Sequence, residues 1–144
     1  MSAATIPSAC FCDTSFFYAL LDRRDHDHPV AKALAAWVQD RQVPLITTWE
    51  VVVETVTLLR YRHSYQAAMA FIQQILPRLN LVSLATEDRA KALDWFRRLS
   101  KDKRISVCDA ISYLVVRERL DHIPCLAFDD DFEQLGLTVL REIA

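Results

Sequence analysis

The sequence predicts an α/β protein with a central, mostly parallel sheet. Short apolar runs such as Ala9-Cys10-Phe11-Cys12 and Ile123-Pro124-Cys125-Leu126-Ala127-Phe128 alternate with longer stretches of helical period. Strands separated by helices imply crossover connections, which join parallel neighbours. Acids stand where such a sheet binds ligands, outside the carboxyl ends of its strands: Asp13 ends the first run and Asp129 the second.

Period and punctuation place the elements in order. A strand over 9–13 leads into a helix over 15–21 and a charged turn over 22–27. A helix over 29–40 follows, with Pro29 at a tolerated first-turn position. Next come a strand over 44–47, a helix over 48–60 that is apolar around most of its circumference, and a helix over 64–76 closed by Pro77. A strand over 79–84 precedes a helix over 86–100, and the basic turn 101–104 leads into a helix over 106–120. The chain closes with a strand over 123–128, a short helix over 131–135 and an edge strand over 138–140. No internal repeat, low-complexity segment or interdomain linker interrupts this order.

Its 144 residues suit one domain, spanning 1–144, with a genuine core. A formal net charge of −2 supplies no bulk field toward nucleic acid or membrane, so any contact with a polyanion needs a local basic patch. The N-terminus lacks the basic stretch of a signal peptide, and no run reaches the roughly 18 apolar residues of a membrane span. Four cysteines, Cys10, Cys12, Cys108 and Cys125, have no Cys-x-x-Cys spacing and read as buried reduced thiols of a cytoplasmic protein, with a zinc or redox site as the alternative. The single glycine, Gly136, excludes a Gly-rich phosphate loop and with it ATP- and dinucleotide-binding folds. The histidines lie in turns or at helix ends, and Ser15 lacks the glycine-flanked elbow of a hydrolase serine.

The acids carry the chemistry. Asp13 precedes Thr14 and Ser15, a pattern that suits an N-cap and also a metal or phosphate site at a helix start. Glu54 sits in a narrow polar sector with Glu50 and Thr57, where a solvated stripe is the plain alternative. Asp109 has capping-box spacing from Ser106, yet it shares a helix face with Tyr113, Val116 and Leu120, where an unpaired carboxylate is costly. Asp129, Asp130 and Asp131 exceed what capping the following helix requires. Several carboxylates gathered together raise each other's pKa, and a hard cation, Mg²⁺ or Mn²⁺, resolves the conflict. Metal-assisted chemistry on phosphate follows.

These motifs resemble a known family. Asp13-Thr14-Ser15, Glu54 in Val53-Glu54-Thr55, Asp109 in Ser106-Val107-Cys108-Asp109-Ala110, and Phe128-Asp129-Asp130-Asp131-Phe132 resemble, in order, the acidic motifs of PIN-domain nucleases. The length and the closing Phe132-Glu133-Gln134-Leu135-Gly136 look most like bacterial VapC-type ribonuclease toxins. The resemblance runs from Asp13 to about Leu140. It implies a three-layer α/β/α fold, one or two Mg²⁺ or Mn²⁺ ions held by Asp13, Glu54, Asp109 and Asp129, hydrolysis of RNA phosphodiesters, a homodimer, and an antitoxin that blocks the site. Asp131, Thr14 and Ser15 are auxiliary candidates. RNA backbone contacts are expected from Arg23 and Arg24, from Arg60 and Arg62, or from Lys101, Lys103 and Arg104. Two other readings stay open from the residues: an acidic-site phosphotransfer domain of phosphatase or receiver type, and a PIN-like binding scaffold without activity. Against the first, Ser15 occupies the position of a phosphatase's second Asp, and no lysine follows Lys103.

Overall fold

The protein is described by a computed structural model covering residues 5–141. Five strands, β1 (Cys10–Cys12), β2 (Leu45–Thr48), β3 (Asn80–Val82), β4 (Cys125–Leu126) and β5 (Val139–Leu140), form one sheet in the order β3-β2-β1-β4-β5. Every neighbouring pair is parallel, so the expected mostly parallel sheet is parallel throughout its described strands. The helices are α1 (Thr14–Leu21), α2 (His28–Asp40), α3 (Trp49–Arg62), α4 (Tyr65–Ala70), α5 (Thr86–Leu99), α6 (Val107–Glu118) and α7 (Asp131–Gln134). They complete a three-layer α/β/α arrangement. None is long and apolar enough to cross a membrane.

The central strand explains the arrangement. Cys10, Phe11 and Cys12 are wholly buried, as a strand covered on both faces must be. Phe11 stacks on Phe132 of α7, and Phe17 of α1 meets Phe71 edge-on at 5.1 Å. Buried Thr47 donates to the Cys12 carbonyl at 2.7 Å, tying β2 to β1 where both strands end. Burial pushes the Cys10 thiol up to about 11 and the Cys125 thiol up to about 12, and Cys12 well above its ordinary value. They are protonated and unreactive in the folded state. No disulfide is present among the described residues.

Boundaries differ from expectation in physically readable ways. Thr48, Ser64 and Ser106 are not first helical residues but N-caps, accepting from the N–H groups of Val51, Ala67 and Asp109. The helix expected over 64–76 is α-helical only to Ala70, then widens into a π-turn (Phe71–Ile75) and tightens into a 3₁₀ turn (Leu76–Arg78). Pro77 lacks an N–H, and in a regular helix its ring would strike the Gln73 carbonyl four residues back. The strands are shorter than the apolar runs because flanking residues bond elsewhere. The Phe128 N–H, for example, goes to the Ser15 hydroxyl.

Gly136 turns the chain from α7 into β5 at φ +84°, and a Cβ built there would meet nothing within 4 Å. Its requirement is therefore conformational, not spatial. Gly136→Ala is expected to lower unfolding free energy by about 1–2 kcal/mol, the cost of a left-handed non-glycine residue. Urea denaturation measures it, and an unchanged midpoint would refute the assignment.

Candidate active site

The parallel sheet delivers its acids to one end. Asp13 follows β1 directly and caps α1, accepting from the Ser15 N–H at 3.1 Å and the Ser15 hydroxyl at 2.6 Å. Ser15 Oγ in turn accepts from the Phe128 N–H at 3.0 Å. One hydroxyl thus joins the end of β1 to the loop after β4. Its single proton is committed to Asp13, leaving none for a phosphate. Asp109 closes the capping box of α6, receiving the Ser106 N–H at 2.9 Å while its own N–H donates to Ser106 Oγ at 3.0 Å. The plain and the functional readings of Asp13 and Asp109 therefore hold together: each caps a helix and each faces the acid cluster.

A pocket of about 360 Å³ opens at this end, lined by Asp13, Thr14, Ser15, Glu54 and Asp129 among the expected residues. Thr14 is also fixed by the Thr55 hydroxyl, which lies 3.3 Å away and joins α1 to α3. Asp109 is not among the residues that line the pocket, but it is close enough for its charge to act on Asp13. Arg62 is on the rim, and Arg104 lies near enough to Asp131 for its charge to oppose, in small part, the rise of that carboxyl. Arg23, Arg24, Arg60, Lys101 and Lys103 do not line the pocket, and Lys103 reaches Asp102 instead.

Tyr18, Asp25, Asp27, Leu58 and Phe128 line it too and were not anticipated. Helical spacing carried part of that signal. Leu58 and Arg62 follow Glu54 at four and eight residues, one face of α3, and Tyr18 follows Thr14 by four on α1. Asp25 and Asp27 depend on the path of the turn between α1 and α2, which no period encodes.

The electrostatics are unrelieved. Burial pushes Asp13 up to about 7; Asp109 and Glu54 add to the rise and the Ser15 hydrogen bonds oppose it. Burial likewise pushes Asp109 up to about 6, with Asp131 and Glu54 adding and the Ser106 bonds opposing. Burial also raises Asp131, helped by Asp129 and Asp130. Neither Asp13, Glu54, Asp109 nor Asp129 has an ion-pair partner among the described residues.

Among those residues no three carboxylates, histidines or cysteines stand close enough together to ligate a single ion as they are. The donor chemistry nonetheless fits a hard divalent cation. The acids supply oxygen only, Asp13 and Asp109 are desolvated, and Glu54 adds a like charge to both without an ion pair to offset it.

The same shifts set a pH dependence for the metal-free protein. Unfolded, both aspartates titrate near 4; folded, they hold their protons until about 6 and about 7. The stability they confer is complete below the unfolded value and is lost as pH rises through the folded ones. In chelator, wild type is therefore expected to lose stability relative to Asp13→Asn between pH 5 and pH 7.5. Parallel urea midpoints for the two proteins across that window would contradict the burial of Asp13.

Comparison with known proteins agrees with this geometry. The sequence model of the PIN domain matches residues 10–137. The 23S rRNA-specific endonuclease VapC20 of Mycobacterium tuberculosis is 34% identical over 132 residues, 91% of this chain and 97% of the relative. The crystal structure of M. tuberculosis VapC20, described as a Sarcin-Ricin loop cleaving toxin, superposes with a TM-score of 0.78 at 29% identity, covering 90% of this chain and 97% of that one. FitAcB from Neisseria gonorrhoeae shares the fold at a TM-score of 0.56 and 14% identity, covering 91% and 96%. With its acids gathered at the carboxyl end of an all-parallel sheet and its sequence matched from β1 to beyond α7, the chain belongs to the PIN-domain family.

Proposed function

We propose that residues 1–144 form one nuclease domain, a metal-dependent endoribonuclease that hydrolyses RNA phosphodiesters and acts as the toxin of a toxin–antitoxin pair in the cytoplasm. One observation carries the reading. Asp13, Glu54 and Asp129 line one pocket at the end of the sheet with Arg62, Asp109 lies close enough to act on Asp13, and none of the four acids has an ion-pair partner among the described residues. The likeness to VapC20 over nearly the whole chain supplies the substrate class.

Asp13 and Asp109 would hold Mg²⁺ or Mn²⁺, with Glu54 and Asp129 holding its waters or a second ion. When bound, the metal supplies a water of lowered pKa and neutralises charge on the phosphate. The chain's own residues do the rest. Ser15 orients the Asp13 carboxylate, the Ser106 N–H orients Asp109, and Arg62 meets the RNA backbone at the pocket's edge. Arg104, close enough for its charge to act on Asp131, is a second contact for the RNA backbone. No protein nucleophile is required.

The antitoxin acts by placing an arginine among the four acids, where bidentate hydrogen bonds replace the metal's charge. The chain acts as a homodimer. Trp49 and Val53, one turn apart on α3 and 55% and 47% exposed, support an apolar contact with a second copy.

Asp13→Asn and Asp109→Asn are each expected to abolish RNA cleavage in Mg²⁺, as EDTA does in wild type, and to abolish growth arrest on induction. Asparagine keeps a side-chain carbonyl that can accept the Ser15 N–H at position 13 and the Ser106 N–H at position 109, so both variants keep the fold. Either variant cleaving RNA at the wild-type rate would defeat the ligand assignment. A binding readout is independent of activity. Mg²⁺ or Mn²⁺ at about 100 times its dissociation constant stabilises the native state by roughly 2.7 kcal/mol. The Asp13→Asn/Asp109→Asn double variant loses most of that gain, and a melting temperature indifferent to metal would argue against the site.

A further inference from the structure

Three of the four acids have an obvious support: Asp13 caps α1, Asp109 belongs to α6 and Glu54 to α3. Asp129 has none of these. It lies between β4 and α7, outside regular secondary structure, and its carboxylate has no hydrogen bond or ion pair among the described residues. Asp129 lines the pocket, and the direction in which its side chain leaves the backbone is set by its own φ and ψ.

Those two torsions are fixed by one side chain. The 128–129 peptide plane carries the Phe128 carbonyl, and the 129–130 plane carries the Asp129 carbonyl. Arg141 Nη1 donates to the first at 3.0 Å and Arg141 Nη2 to the second at 3.2 Å. The planes on both sides of the Asp129 Cα are thus pinned by a single rigid, planar fork. The guanidinium is itself anchored, Nη2 to Asp130 Oδ1 at 3.1 Å and Nε to Glu133 Oε1 at 2.5 Å. Parallel pairing brings it there. Leu140 stands opposite Leu126, so the next residue, Arg141, emerges beside the loop that follows β4.

We infer that Arg141 is a positioning residue for the nuclease site: it clamps the Phe128 and Asp129 carbonyls and so aims the Asp129 carboxylate into the pocket. The inference rests on the reading of Asp129 as a member of that site. A lysine does not replace it, because an ammonium is a single point of charge without the spaced donors of the fork.

A double-mutant cycle tests it, with wild type, Arg141→Ala, Asp129→Asn and the double variant measured for kcat and KM on RNA in Mg²⁺. Arg141→Ala is expected to lose about 10–100-fold in kcat, as outer supports of metal ligands do, with KM little changed. The double variant should be no slower than Asp129→Asn alone, because Arg141 acts only through that carboxylate. Amide hydrogen exchange should quicken at residues 128–131 while β1 and β4 stay protected. Arg141→Lys keeps the stem and charge and should share the defect, which keeps the test open if the alanine variant is too unstable to purify. Wild-type kcat in either Arg141 variant, or losses that multiply in the double variant, would overturn the inference. Full activity in Asp129→Asn would instead remove Asp129 from the site, and this inference with it.

Discussion

Parallel pairing around β1 is the constraint from which the rest of the molecule follows. β1 lies between β2 and β4, and parallel strands bring their carboxyl ends to one edge of the sheet. Residues that leave those ends are neighbours in space, however far apart in sequence. Asp13 leaves β1 and Asp129 follows β4, 116 positions apart in the numbering, yet the Ser15 hydroxyl bridges their two loops. β2 ends in Thr48, which caps α3 and so sets the azimuth at which Glu54 points. β5, paired beside β4, carries Arg141 to the same edge.

The fold gathers charge there at a cost to itself. Burial and mutual repulsion work against ionising Asp13 and Asp109, and the hydrogen bonds from Ser15 and Ser106 only partly oppose them. These bonds serve twice. They satisfy N–H groups at helix starts, which any helix needs, and they hold the carboxylates in place. A site built from capping residues has few moving parts. Its acids are fixed by the same contacts that begin α1 and α6.

Much of this was legible in the sequence, and the limits have physical causes. The order of elements followed from period, and Asp13, Glu54 and Asp129 stood where apolar runs ended or a helix turned its narrow polar side. The apolar runs outlast the strands because an apolar residue does not declare where its N–H goes. Phe128 looks like strand but donates to a serine side chain instead. The irregular turns after α4 come from Pro77, whose presence predicted an end but not the widening upstream. Arg141 left no signature at all. Its most telling partners are two backbone carbonyls, and any residue in their place would offer the same oxygens. The wall formed by Tyr18, Asp25 and Asp27 depends on the path of a turn, which is a tertiary fact.

The buried thiols give the molecule an internal clock. Cys10, Cys12 and Cys125 lie in β1 and β4, at the centre of the sheet, with no exposed surface. Alkylation requires a thiolate in contact with solvent, and burial denies both. Each labelling event therefore records an opening of the central strands and not a local fluctuation at the surface. Half-buried Cys108 on α6, raised first by burial and then by the carboxylates beside it, senses the neighbourhood of the acids instead. Two rates from one reagent would separate breathing at the acidic edge from unzipping of the sheet beneath it.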